Sequence, residues 1–141
     1  MTETIDPSYV GEGIYRENIL DHYKNPRNSG VLINPTFSFK EFNPLCGDEI
    51  TFYVKLNGEK TIENLSFLGK GCAISQSSAS MLAETIIGKT LDEAKKIQRE
   101  DILEMLSIPI GPVRIKCAML GLVALKKGIN LFEKTKSDFY G

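Results

Sequence analysis

Ile50-Thr51-Phe52-Tyr53-Val54-Lys55-Leu56-Asn57-Gly58 is the stretch on which the fold of this chain turns. Apolar Ile50, Phe52, Val54 and Leu56 alternate with Glu49, Thr51, Tyr53 and Lys55. That period of two places successive side chains on opposite faces of a strand. Asn57-Gly58 is a hairpin signal, because both residue types tolerate positive φ, and it returns the chain into a second strand over Thr61 to Leu68. A preceding segment around Phe37 to Phe42 supplies a third, so the pattern predicts three short antiparallel strands.

Outward from the sheet the period changes. Upstream, Ile14, Ile19, Leu20 and Tyr23 stand near helical spacing, and Asn25-Pro26-Arg27-Asn28 with Gly30 ends that helix. Downstream of Cys72 everything reads as helix. Ala73 to Ile87 can bring Ile74, Met81, Leu82, Thr85 and Ile86 to one face, and Gly88 closes it. Thr90-Leu91-Asp92-Glu93 resembles an N-cap with acidic first-turn residues, and Arg99-Glu100-Asp101 starts another short helix. Pro109 and Pro112 interrupt before a last helix over about Val113 to Phe132, whose expected contacts include Leu120, Val123, Ala124 and Leu131. The fold class is therefore α+β, a small three-stranded antiparallel sheet packed against helices. A single domain spanning 1–141 is expected, with 1–12 and 134–141 flexible.

A net charge of -1 offers no footprint for nucleic acid or anionic lipid, so neither polyanion is an expected partner. No apolar run is long enough to span a bilayer, and the polar, acidic first residues lack the parts of a secretory signal. Three cysteines cannot close a disulfide framework, so reduced thiols in a cytoplasmic setting are the expectation.

Those cysteines carry the chemistry. They sit in Leu45-Cys46-Gly47-Asp48, Gly69-Lys70-Gly71-Cys72-Ala73 and Arg114-Ile115-Lys116-Cys117-Ala118, among Gly, Asp and Lys rather than in the apolar runs that hold structural cysteines. Cys46 lies two residues before Asp48, a spacing that puts thiol and carboxylate on one side of an extended chain. Cys72 follows a glycine-rich loop and precedes a helix, where loop N–H groups and the helix dipole favour negative charge on sulfur. Cys117 lies near the start of the last helix beside Lys116 and Arg114, whose charges would stabilise a thiolate or a bound sulfide. Arg114 could also hydrogen-bond a ligating thiolate or Asp48. Three soft sulfurs and one hard oxygen suit a closed zinc site, or an iron-sulfur cluster with one atypical ligand. The lone His22 reads as a structural hydrogen-bonding residue, Asn25 to Arg27 as helix termination, and Ser75, Ser77, Ser78 and Ser80 as small residues that let helices approach.

Four segments in order resemble one family. They are Asp21-His22-Tyr23-Lys24-Asn25-Pro26-Arg27-Asn28, Cys46-Gly47-Asp48, Gly69-Lys70-Gly71-Cys72-Ala73-Ile74-Ser75 and Val113-Arg114-Ile115-Lys116-Cys117. The family is that of the iron-sulfur cluster assembly scaffolds of the IscU and NifU amino-terminal type, with the SufU proteins as a related branch. The resemblance runs from about Ile14 to Phe132. It implies that Cys46, Asp48, Cys72 and Cys117 bind a labile [2Fe-2S] cluster, or zinc as its substitute. It also implies a cysteine desulfurase as sulfur donor and apo iron-sulfur proteins or carriers as recipients, and leaves a homodimer open. Cys117 beside Lys116 is the expected persulfide acceptor, with Cys46 as competitor. Lys116 stands where the IscU pattern has histidine, a SufU-like feature, whereas the short interval from Cys72 to Cys117 lacks the SufU insertion. Ile110-Gly111-Pro112-Val113-Arg114 keeps only part of the segment that a dedicated chaperone reads in IscU, so chaperone delivery is not implied. A zinc-dependent sulfurtransferase that relays persulfide sulfur is the alternative.

Overall fold

The structure, a computed structural model, describes residues 10–44, 47–58 and 60–140. Its elements run α1 (Val10–Lys24), β1 (Phe37–Asn43), β2 (Asp48–Asn57), β3 (Thr61–Lys70), α2 (Ala73–Ile86), α3 (Leu91–Lys95), α4 (Arg99–Leu106) and α5 (Pro112–Tyr140). This is the α+β fold that the alternation in β2 predicts. The three strands form an antiparallel sheet in the order β1-β2-β3, with Asn43 opposite Asp48 and Phe52 opposite Phe67. Asp48, Ile50, Phe52 and Val54 are buried and their odd-numbered neighbours half-buried, so one face of β2 meets the core. Gly58 takes φ +69 in the β2–β3 turn, the conformation for which a glycine is selected there.

The free edge of β3 is covered by two segments that the sequence pattern does not announce. Residues 28–30 run alongside Phe67, whose N–H donates to Asn28 O at 2.9 Å and whose carbonyl accepts from Gly30 N at 2.8 Å. The α2–α3 connection does the same at the other end, Gly88 N to Ile62 O and Ile62 N to Lys89 O, both 2.8 Å. An edge with its N–H and C=O groups occupied does not recruit a foreign strand.

Helices α2 and α5 lie on the buried sheet face, and α1 packs against α2. The serines of α2 let them come close. Ser77 Oγ donates to Ile19 O at 2.6 Å on the α1 side, and Ser78 Oγ donates to Ala118 O at 2.7 Å on the α5 side. On α5, Gly128 meets β1, where an added Cβ would stand 2.8 Å from Phe39 Cβ, and Phe132 stacks on Phe37 with ring centroids 4.8 Å apart.

Several expectations are corrected. α1 starts at Val10, upstream of the Ile14 at which the periodicity placed it, while residues 1–9 lie outside the described residues. Of the predicted α1 face Ile19 is buried, whereas Leu20 and Tyr23 are exposed, because α1 is covered on one side only; the Ile14 side chain lies outside the described residues. Thr85 is exposed on α2, its hydroxyl donating to Met81 O at 2.9 Å. On α5, Leu120 and Ala124 are buried, but Val123 and Leu131 face solvent at 36% and 53% exposure. α5 also continues past Phe132 to Tyr140. A polar segment propagates an established helix at little cost, which hydrophobic periodicity does not register.

The remaining signals fall where expected. Thr90 caps α3 in a capping box, Glu93 N donating to Thr90 Oγ1 at 3.1 Å and Thr90 N to Glu93 Oε1 at 3.0 Å. Pro112 is the first residue of α5, a position where its missing N–H costs no intrahelical bond.

Candidate metal centre

Three element junctions meet at one end of the sheet. β2 begins with Asp48, directly after the β1–β2 connection. β3 runs out at Lys70, opposite Glu49, and the chain turns through Gly71 into Cys72, the N-cap of α2 with φ -76 and ψ 168. α5 brings Cys117 from its first turns. One ligand atom from each of Asp48, Cys72 and Cys117 lies within 4.8 Å of the others. Neither Cys72 nor Cys117 is in a disulfide. Cys46, the fourth candidate, lies outside the described residues, between Asn43 and Asp48, which are register partners.

The Asp48 carboxylate is the unsatisfied member. It is 4% exposed, and its Oδ2 has no hydrogen-bond partner among the described residues. A buried anionic oxygen without a partner is costly, by several kcal/mol if the charge is kept, unless a cation meets it. Gly71 is shaped to that carboxylate. Its φ is +152, and an added Cβ would stand 2.6 Å from Oδ1 and 2.8 Å from Oδ2 of Asp48. Gly71 is therefore a glycine because the carboxylate needs the room, whereas an added Cβ at Gly69 would meet Gln76 Oε1 at 2.6 Å and Ile50 Cδ1 at 2.7 Å.

Cys72 is half-buried at the amino end of a helix of 14 residues, where first-turn N–H groups have no intrahelical acceptor. Its carbonyl accepts Gln76 N at 3.1 Å, the first turn of α2. Cys117 is 5% exposed, although sequence placed it at a reachable helix start. It lies one turn inside α5, on the face turned to the core. Arg114 and Lys116 are exposed beside it.

The donor set fits a metal centre. A tetrahedral zinc site needs sulfur and oxygen at about 2.0–2.3 Å from the ion, hence ligand atoms somewhat under 4 Å apart. A spread of 4.8 Å is near that separation, and only small side-chain adjustments close it. Two thiols with a buried carboxylate supply the mixed soft and hard donors of either a zinc ion or an iron-sulfur cluster.

His22 is held away from this cluster, as a structural residue. Its Nδ1 is 2.8 Å from Ser80 Oγ and its Nε2 is 3.6 Å from Glu84. Burial pushes its pKa below 6.5, helped by the charge of Arg27 and opposed by Glu84 and Asp21. Arg27 N also donates to Ser80 Oγ at 2.8 Å, and its guanidinium meets Asp21 Oδ2 at 2.6 Å. That contact, foremost, holds the Asp21 carboxyl below its usual range. The Asp21–Asn28 segment thus locks the end of α1 onto α2, as helix termination.

Comparison with known proteins agrees with this architecture. The chain is 39% identical over 133 residues to the zinc-dependent sulfurtransferase SufU of Bacillus subtilis, covering 82% of this chain and 89% of that one. It is 40% identical over 118 residues to the iron-sulfur cluster assembly scaffold protein IscU of Escherichia coli, covering 82% and 91%. The same share of this chain is thus spread over more positions against SufU than against IscU, so SufU carries residues for which this chain has no counterpart. Among solved structures, FiSufU from Fervidobacterium islandicum AW-1 superimposes with a TM-score of 0.70 at 30% identity, covering 84% and 98% of the two chains. A nitrogen-fixing NifU-like protein (N-terminal) from Brucella abortus gives 0.71 at 26% identity, covering 87% and 96%. Residues 14–138 match the NifU-like N terminal domain, and the chain belongs to that family.

Proposed function

We propose that this chain is an iron-sulfur cluster assembly scaffold that receives sulfur from a cysteine desulfurase, builds a labile [2Fe-2S] cluster and passes it to apo-proteins. The observation that carries the reading is the meeting of Asp48, Cys72 and Cys117, with a carboxylate oxygen buried and unpartnered beside two thiols. The similarity to the IscU scaffold supports it. Cys46 completes the ligand set in this reading. Cys72 anchors the cargo at the helix terminus, where the dipole favours a sulfur anion. Asp48 is the oxygen donor, harder and weaker toward iron than a thiolate, and so the ligand through which the cargo leaves.

Sulfur arrives by thiol–disulfide chemistry. An acceptor thiolate attacks the outer sulfur of the desulfurase persulfide, that S–S bond breaks, and the desulfurase cysteine departs as a thiolate. An external reductant then supplies two electrons for each sulfur converted to sulfide. We assign the acceptor to Cys117, with Cys46 as competitor. Because Cys117 is buried, this assignment requires the loop before α5 to open for the transfer. Gly111 in that loop has open space about its Cα, and its neighbours Pro109 and Pro112 are exposed. Lys116 and Arg114 supply positive charge at the entrance.

One finding favours a second reading, a zinc-dependent sulfurtransferase that never holds a cluster: SufU is among the relatives, and Lys116 precedes Cys117 where the resemblance to the IscU pattern implies histidine. Desulfurase turnover separates the two. The scaffold gives stimulation that is indifferent to zinc and a visible [2Fe-2S] absorption under anaerobic iron and cysteine, which Cys72→Ala loses. Stimulation that requires zinc, with no cluster formed, selects the sulfurtransferase. Mass spectrometry after reaction with desulfurase and cysteine should find an added sulfur that Cys117→Ala removes.

A further inference from the structure

Ser75 and Gln76 are not explained by the ligand set, yet they adjoin it. Ser75 is fully buried in the first turn of α2, and its Oγ lies 4.0 Å from Cys72 Sγ, the outer limit of a hydrogen bond to sulfur. The same hydroxyl donates to Cys72 O at 3.1 Å and accepts from Gln76 Nε2 at 3.3 Å. Cys72 O has a second donor, Gln76 N at 3.1 Å. The carbonyl therefore stays satisfied if the hydroxyl turns away, and Oγ stays satisfied by the amide. A hydroxyl with one proton, two acceptors and a spare donor behind it is a rotor with two resting positions.

We propose that Ser75 is a positioning residue for the ligating sulfur: its hydroxyl proton rests on Cys72 O while Cys72 is a thiol and turns to Cys72 Sγ once the sulfur holds a metal. This deepens the scaffold reading and rests on Cys72 being a ligand. When Cys72 binds metal its thiol proton leaves to solvent, so sulfur changes from weak donor to acceptor and the bond reverses direction. A hydrogen bond to a ligating thiolate draws electron density from the metal and lowers the energy of the sulfur lone pairs. Cys72 becomes a softer hold on its cargo.

Cobalt(II) titrated into the full-length chain is the probe, read as the sulfur-to-cobalt charge-transfer band. Lowering the lone-pair energy moves that band to shorter wavelength, so Ser75→Ala is expected to move it to longer wavelength, and Ser75→Thr to restore it. Ser77→Ala, which loses an equally buried hydroxyl of the same helix bonded to Ile19 O of α1, is expected to leave it in place. Gln76→Ala, at a partly exposed position, removes the donor that holds Oγ and should give a smaller shift of the same sign without any change to a buried side chain. No shift in either Ser75→Ala or Gln76→Ala, or an equal shift in Ser77→Ala, overturns the proposal while the metal centre stands. No sulfur-to-cobalt band in the parent protein overturns both.

Discussion

At the scale of single residues, the costliest feature is the Asp48 carboxylate, buried with Oδ2 unpartnered and fitted against a glycine that has no Cβ to displace it. In the scaffold reading that carboxylate is a ligand, and the cost is met when a cation binds. Asp48→Ala should leave the metal-free protein as stable or more stable, by up to about 1–3 kcal/mol, the cost of an unmet buried polar group. The same change should shrink the stabilisation that added zinc confers; thermal melts of both proteins with and without zinc read both effects, and an undiminished zinc increment contradicts the assignment. His22 makes a separate, pH-dependent contribution. Well above 6.5 the imidazole is neutral in both the folded and the unfolded chain, and it adds no pH dependence. As pH falls below 6.5 the unfolded chain takes up a proton that the folded chain resists, so stability declines with acidification. Denaturant melts between about pH 7 and pH 5 should show that decline, and His22→Gln should flatten it. An unchanged slope in the variant would assign the acid sensitivity elsewhere.

At the scale of elements, what was legible in the sequence is what has a period or a cap. The alternation in β2, the Asn57-Gly58 turn, the Thr90 cap and the position of Cys72 before a helix are local signals, and each element stands where its signal put it. The serines of α2 read correctly as close-packing residues, but their hydroxyl bonds to the carbonyls of Ile19 and Ala118 depend on partners distant in sequence. The covering of the β3 edge by residues 28–30 and by the α2–α3 connection was not legible, because single bridges leave no periodic trace. Nor was the solvent-facing side of α5, where Val123 and Leu131 are apolar by composition yet lie off the packed stripe. Gly128 shows the same limit, since only the fold reveals that Phe39 lies against it. Gly128→Ala should destabilise by about 1–3 kcal/mol through overpacking, even though alanine is the better helix former. Chemical denaturation would test this, and a stabilised variant would mean that α5 sits further from β1 than the structure places it.

At the scale of the whole molecule, no single segment makes the centre. The β1–β2 connection, the β3–α2 turn and the amino end of α5 are far apart in sequence, and the sheet with α2 and α5 on one face gathers them at one end. The residues flanking each cysteine named the candidates; which of them meet is decided by topology. Three of the four lie together, and Cys46 falls outside the described residues. No helix among the described residues is long and apolar enough to cross a membrane. The gathering of mixed donors at one place is what the proposed carrier requires, and it is open to a direct measurement. The full-length chain is incubated without oxygen with iron, cysteine and a cysteine desulfurase, freed of unbound ions, assayed for iron and acid-labile sulfide, and mixed with an apo-ferredoxin. The account predicts iron and sulfide bound in equal amounts, lost in Cys72→Ala and handed to the ferredoxin on mixing. Protein that retains zinc alone, with no sulfide and nothing to transfer, would contradict it.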